Sequence, residues 1–164
     1  MSPSGDRIEL LVIGPGESSD AVLYVPNESY ERIELVDEDR GLTMVGEGFS
    51  LWRCLHDLRQ QLEADHRLLA CAGARRDVHV TQLLEAAYGG RVGFLLSAPR
   101  TSSREPYPLV DIFEPAPAEV VATLADQRAA VREFSQPTLD SSTTTPRAMD
   151  ASRRWWRRWQ RWRH

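Results

Sequence analysis

Residues 49–98 constrain the fold more than any other part of the chain. They read as helix, strand, helix and strand, joined with almost no loop to spare. Leu51, Trp52, Leu55, Leu58 and Leu62 recur at the spacing of one helical face, and Ser50 stands where an N-cap belongs. Arg59 and Glu63 fall on another face as an i,i+4 pair. Residues 67–72 run into unbroken apolar sequence, the pattern of a strand buried on both faces and central in its sheet. Residues 81–88 make a short helix that Gly89-Gly90 stops. Residues 91–97 form the next strand, and the spacing allows the two strands to be parallel.

The flanks add sheet on one side and a strand, a helix and a tail on the other. Residues 7–13 and 21–25 are strands around Gly14-Pro15-Gly16. The glycines there do not make a phosphate cradle, because a strand follows where such a loop would open a helix. Residues 30–36 alternate and pair with 42–45 across the acidic turn 37–41. The four acids between Glu34 and Asp39 lack the ligand order of a calcium loop and read as a solvated hairpin tip. Residues 109–113 are a strand. Residues 118–134 read as a helix, with Val121, Leu124, Ala125, Arg128, Val131 and Phe134 inward and Glu119, Asp126, Gln127 and Glu133 exposed. The fold expected is α+β or mixed α/β: one domain over residues 6–134, with a mixed sheet and about three helices. Residues 135–152 lose periodicity and gain Ser, Thr and Pro, a flexible linker to a tail at 153–164. Leu55, Leu58, Leu69, Ala72, Leu95, Leu96 and Leu124 are the expected core.

Leu55, Leu58, Arg59, Leu62 and Glu63 spell LxxLRxxLE; Cys71, Gly73, Ala74 and Arg75 follow as CxGAR, and residues 109–116 read LVDIFEPA. On these motifs, over roughly residues 33–134, the chain resembles a family of small uncharacterised bacterial proteins. The resemblance implies a single compact domain and supplies no catalytic residue, cofactor or partner. Residues 78–83 depart from it, where a turn-forming proline and a serine would be expected.

Chemistry is sparse. Cys54 and Cys71 have no CxxC spacing, and with His56 and His66 they make no zinc pattern, so neither metal nor cofactor is expected. Cys71 reads as a small buried hydrophobe rather than a nucleophile. Arg75, Arg76, Asp77 and His79 form a candidate loop site beyond a strand end, suited to anion binding or acid–base work in a small hydrolase or transferase. The commoner use of such residues is an ion pair bracing the loop, with His79 at the surface.

Charge separates the chain into two parts. Residues 1–146 carry 13 Arg against 23 Asp and Glu, net −10, while residues 147–164 carry 7 Arg against one Asp, net +6. An acidic body steers cationic partners and repels nucleic acid, as suits an accessory or immunity-type domain covering a basic protein. The tail is its opposite: Arg153, Arg154, Trp155, Trp156, Arg157, Arg158, Trp159, Arg161, Trp162 and Arg163, with no acid among them. On a helix its Trp and Arg residues take opposite faces, the composition of an interfacial membrane segment. The same residues suit nucleic-acid phosphates and unpaired bases, or the acidic body itself. The expected function is therefore a non-enzymatic interaction protein whose tail binds polyanions. The opening residues carry no apolar leader and no run is long enough to span a bilayer. The expected location is cytoplasmic, peripheral at the membrane if the tail engages lipid.

Overall fold

In a computed structural model the structure describes residues 5–135; the linker from 136 onward and all ten tail residues named above lie outside them. Three helices pack with two sheets in an α+β fold, the fold class expected. Strands β1 (Gly5–Gly14), β2 (Glu17–Pro26), β3 (Arg32–Asp37) and β4 (Leu42–Glu47) form an antiparallel meander. Helix α1 (Leu51–Ala64) then covers one face of it, and β5 (Leu68–Leu69) joins the β1 edge, giving the order β4-β3-β2-β1-β5.

The period of two along each strand decides which face α1 covers. Leu10, Val12, Leu23, Val25, Ile33 and Leu35 point inward and are buried against Leu51, Leu55, Leu58 and Leu62. Register keeps them aligned, with Leu23 opposite Leu35 and Leu10 opposite Ala21. Ser50 Oγ accepts the Arg53 N–H at 3.3 Å, so the cap read from sequence is made. On its β4 side α1 also shields a sheet edge. Asp57 Oδ2 accepts the Glu47 N–H at 3.0 Å and Gln61 Nε2 donates to the Val45 carbonyl at 2.8 Å, which occupies groups another strand would use.

A second antiparallel sheet contains β6 (Val78–His79), β7 (Val92–Leu95) and β8 (Leu109–Asp111), in the order β6-β7-β8. Helix α2 (Gln82–Tyr88) connects β6 to β7 and ends at Gly89, whose φ of 61° suits glycine. The Gly89 carbonyl accepts the first N–H of α1, from Leu51, at 2.8 Å. Helix α3 (Leu124–Ser135) closes the described chain.

Several expectations change. The single mixed sheet is two antiparallel ones, and the proposed parallel pair falls in different sheets. Residues 67–72 are not a central strand: only Leu68 and Leu69 pair, at an edge, before a 3-10 turn at Ala72–Ala74. The run is apolar because α1 and the β8 segment bury it. The Ala72 and Gly73 N–H groups donate to the Glu114 and Ile112 carbonyls, both at 2.7 Å. Leu95 and Leu96 are half-buried, since the small sheet lacks a full second layer, whereas the other five expected core residues are buried. Helix α3 starts six residues late, after a separate 3-10 turn at Ala118–Val120, where Thr123 Oγ1 caps it by accepting the Asp126 N–H at 3.1 Å. Asp37 is buried instead of solvated, taking a 2.6 Å hydrogen bond from Ser19 Oγ.

Candidate functional site

The polar centre of the molecule is a residue that sequence periodicity places on a helix surface. Arg59 is 1% exposed. Its Nη1 donates to the Gly73 carbonyl at 3.2 Å and Gln127 Oε1 at 2.6 Å, and its Nη2 to the Ala122 carbonyl at 2.8 Å. Glu63 Oε1 lies 3.7 Å away, and the same carboxylate accepts the first N–H of α3, from Leu124, at 2.9 Å. Burial pushes the Arg59 pKa down, but a guanidinium so bonded stays charged. Gln127, expected on the exposed face of α3, is buried instead; its Nε2 donates to the carbonyls of Gly73 (2.8 Å), Arg75 (2.6 Å) and Val78 (3.2 Å). The inward face of α3 is accordingly Leu124, Gln127 and Ala130, leaving Arg128 and Phe134 outside.

This network explains the motifs structurally. Leu55, Leu58, Leu62 and Cys71 are core, and Arg59 and Glu63 tie α1 to the turn and to α3. Gly73 sits where a Cβ would come 2.5 Å from Leu55 Cδ2 and 3.0 Å from Ile112 Cβ. Ile112 and Phe113 of the LVDIFEPA segment are both fully buried. These residues assemble a core.

The candidate loop site separates when folded. Arg75 holds Asp77 by two bonds of 2.8 Å, and Ser97 Oγ also donates to the Asp77 carboxylate. The Arg75 guanidinium holds the Asp77 carboxyl below its ordinary range, and the pair braces the loop. Arg76 is exposed and its side chain joins neither. His79 turns elsewhere. Cys71 is fully buried, with burial pushing its thiol up to about 11, and it does not line the groove that His79 lines. Cys54 is likewise buried and raised to about 11.

His79 instead lines an open groove of about 520 Å³ with Trp52, Arg53 and His56 of α1, residues 80–83, Glu85 and Arg128 of α3. A smaller space of about 240 Å³ shares Trp52, His56, His79 and Arg128 and extends along α3 to Arg132. The Trp52 and His56 rings lie 5.8 Å apart, tilted by 59°. Burial, then Arg59, Arg128 and Arg53, lower the His56 pKa to about 4, and burial lowers His79. Both imidazoles are neutral at pH 7. Sequence reading passed over Trp52, His56 and Arg128 as site residues. The available signal was Trp52 and His56 at i,i+4 on α1, one ring-bearing stripe beside the leucine face.

The other feature open to a partner is the outer face of the five-stranded sheet. Leu11, Ile13, Val22, Val36 and Val45 are half-buried there, among Glu9, Asp20, Glu34 and Glu47, with Arg7 and Arg32 paired to the glutamates. Among the described residues no helix or strand packs over it. Nor do any three His, Cys, Asp or Glu residues among them gather closely enough to hold a metal ion. None of the described helices is long and apolar enough to cross a membrane. The chain matches no known protein-family model, and no curated protein is similar to it, so the resemblance rests on its motif residues alone.

Proposed function

We propose that this is a non-enzymatic interaction protein: its open sheet face docks a basic protein partner, and its Arg/Trp residues at 153–164 bind an anionic surface. The observation that carries the first half is the uncovered sheet face, an apolar stripe set among carboxylates. From strand lengths of ten and six residues its area is roughly 500 Å². That is most of the roughly 800 Å² a stable interface takes from each partner, leaving the rim to surrounding acids. A body of net −10 draws a cationic partner to that face. The competing reading, a small hydrolase or transferase built on the loop at residues 75–79, is disfavoured because Arg75 and Asp77 pair with each other and His79 lines a groove that neither they nor Cys71 line.

The test is calorimetric titration with a lysine-rich basic protein at low and high salt, on the full chain and on Glu9→Gln/Asp20→Asn/Glu34→Gln. Binding that weakens with salt and is lost in the triple variant supports the reading; equal binding by both proteins removes it. For the tail, Trp fluorescence against anionic vesicles, neutral vesicles and single-stranded DNA separates lipid from nucleic acid. A spectrum unchanged by all three, with tighter basic-protein binding by a chain cut at residue 146, means that the tail covers the body and the polyanion reading fails.

A further inference from the structure

We propose that the groove between α1, β6 and α3 is a binding site for a small planar anion, an aromatic ring carrying a carboxylate or phosphate. The site is independent of the sheet face. Along α1, Asp57 and Gln61 point to β4, whereas Trp52 and His56 turn toward β6 and α3.

The first reason is unused bonding capacity. Every buried side-chain nitrogen and oxygen among the described residues has a hydrogen-bond partner. The groove is different: neither His56 nor His79 makes a hydrogen bond or ion pair there, and Arg128 has no counter-ion among those residues. These groups face water in the open groove, so a ligand that pairs with them exchanges that water for its own polar atoms.

Charge is the second reason. The body is acidic as a whole, yet the groove is local ground for anions. Arg128 and Arg132 stand on its α3 side, Arg53 at its mouth, and the buried Arg59 one turn below His56. Its one carboxylate, Glu85, already accepts from Ser50 Oγ at 2.7 Å and from Arg53 Nε at 3.1 Å. A cation would meet Arg128 and Arg132, unpaired among the described residues, and no free acid. A metal would find two imidazoles and no third ligand among the described residues.

Shape is the third. Trp52 and Val80, both largely buried, contribute a small apolar floor, and a volume of about 520 Å³ falls within the range of small-molecule sites. A planar ring slides along Trp52, its anionic group on Arg128. The neutral imidazoles of His56 and His79 each offer one donor and one acceptor to its edge.

The protein's four histidines report on the site separately. In the full-length protein with labelled imidazoles, NMR titration with benzoate and with adenosine monophosphate should shift His56 and His79 and leave His66 in place, with any shift of His164 reporting separately on the tail. Benzoate as the better probe assigns a carboxylate ligand and the nucleotide a phosphate ligand, and either supports the site. Arg128→Gln, an exposed change, should keep the fold and weaken binding by about tenfold or more. Shifts confined to His164 place the probe on the tail and overturn the proposal. So does an unchanged affinity in Arg128→Gln, or stationary His56 and His79 signals at millimolar concentrations of both probes.

Discussion

His56 and Arg59 stand three residues apart on one helix and live under opposite rules. Arg59 is buried with its guanidinium held by two carbonyls, an amide oxygen and a carboxylate. His56 is half-buried, touches the Trp52 ring and bonds to nothing polar among the described residues. Both neighbourhoods are polar and both perturb a pKa by desolvation. What differs is saturation. A polar group with every valence filled by its own chain is holding the fold together, and one left open inside a groove is available to something else. Perturbed pKa values alone would have marked both as sites.

The sharpest way to break this contrast is at Arg59. Arg59→Ala strands the Ala122 carbonyl and the Gln127 amide oxygen, leaves the Gly73 carbonyl with Gln127 alone, and should cost about 3–5 kcal/mol in chemical denaturation. An undisturbed midpoint would mean that the network is incidental. Leu58→Ala, on the purely apolar side of α1, should cost about 2–5 kcal/mol and sets the scale for the polar changes. Gln127→Ala should come next, at about 1–3 kcal/mol, and Gln127→Glu should not restore it, because a carboxylate cannot donate to three carbonyls.

Protonation probes the open side. In the unfolded chain His56 titrates near 6.5 and in the folded protein near 4, so the unfolded state takes up the proton first. Its contribution is fully present above about pH 6.5 and is lost as pH falls through about 4. His56→Gln should flatten that part of a stability–pH curve. The depressed Asp77 carboxyl acts with the same sign at lower pH, below its unfolded value of 3.8. A slope unaltered in His56→Gln would place the imidazole in water. The smallest effect is expected at Arg128: Arg128→Gln should leave stability within about 0.5 kcal/mol, because no partner is lost.

Much of the fold was legible because it depends on local pattern. The two hairpins, α1 with its Ser50 cap and α2 with its Gly89 stop follow from periodicity and turn chemistry within a few residues. The errors share a physical origin in distance. A helical wheel sends Arg59 and Gln127 outward because it cannot see that each is the other's partner 68 residues away. The strand expected at residues 67–72 failed for the same reason: its burial comes from residues near 112–116, and burial without alternation looks alike in a strand and in a 3-10 turn. Of the candidate site, the Arg75–Asp77 brace was readable from adjacency. The groove was not, since it joins α1, β6 and α3 across the whole middle of the sequence.

During synthesis Arg59 leaves the ribosome 68 residues ahead of Gln127. Until α3 arrives, the guanidinium keeps its water, and the carbonyls of Gly73, Arg75 and Val78 keep theirs. The leucines of α1 can meet the meander early, through contacts close in sequence, but that seat stays wet along one side. Closing it requires a loop of 68 residues to be ordered, at a cost in chain entropy that falls late in the chain. The last helix therefore works as a latch. A chain that ends before residue 127 is left with an ajar core open to proteolysis, whereas a chain that reaches it locks from the far end, all at once.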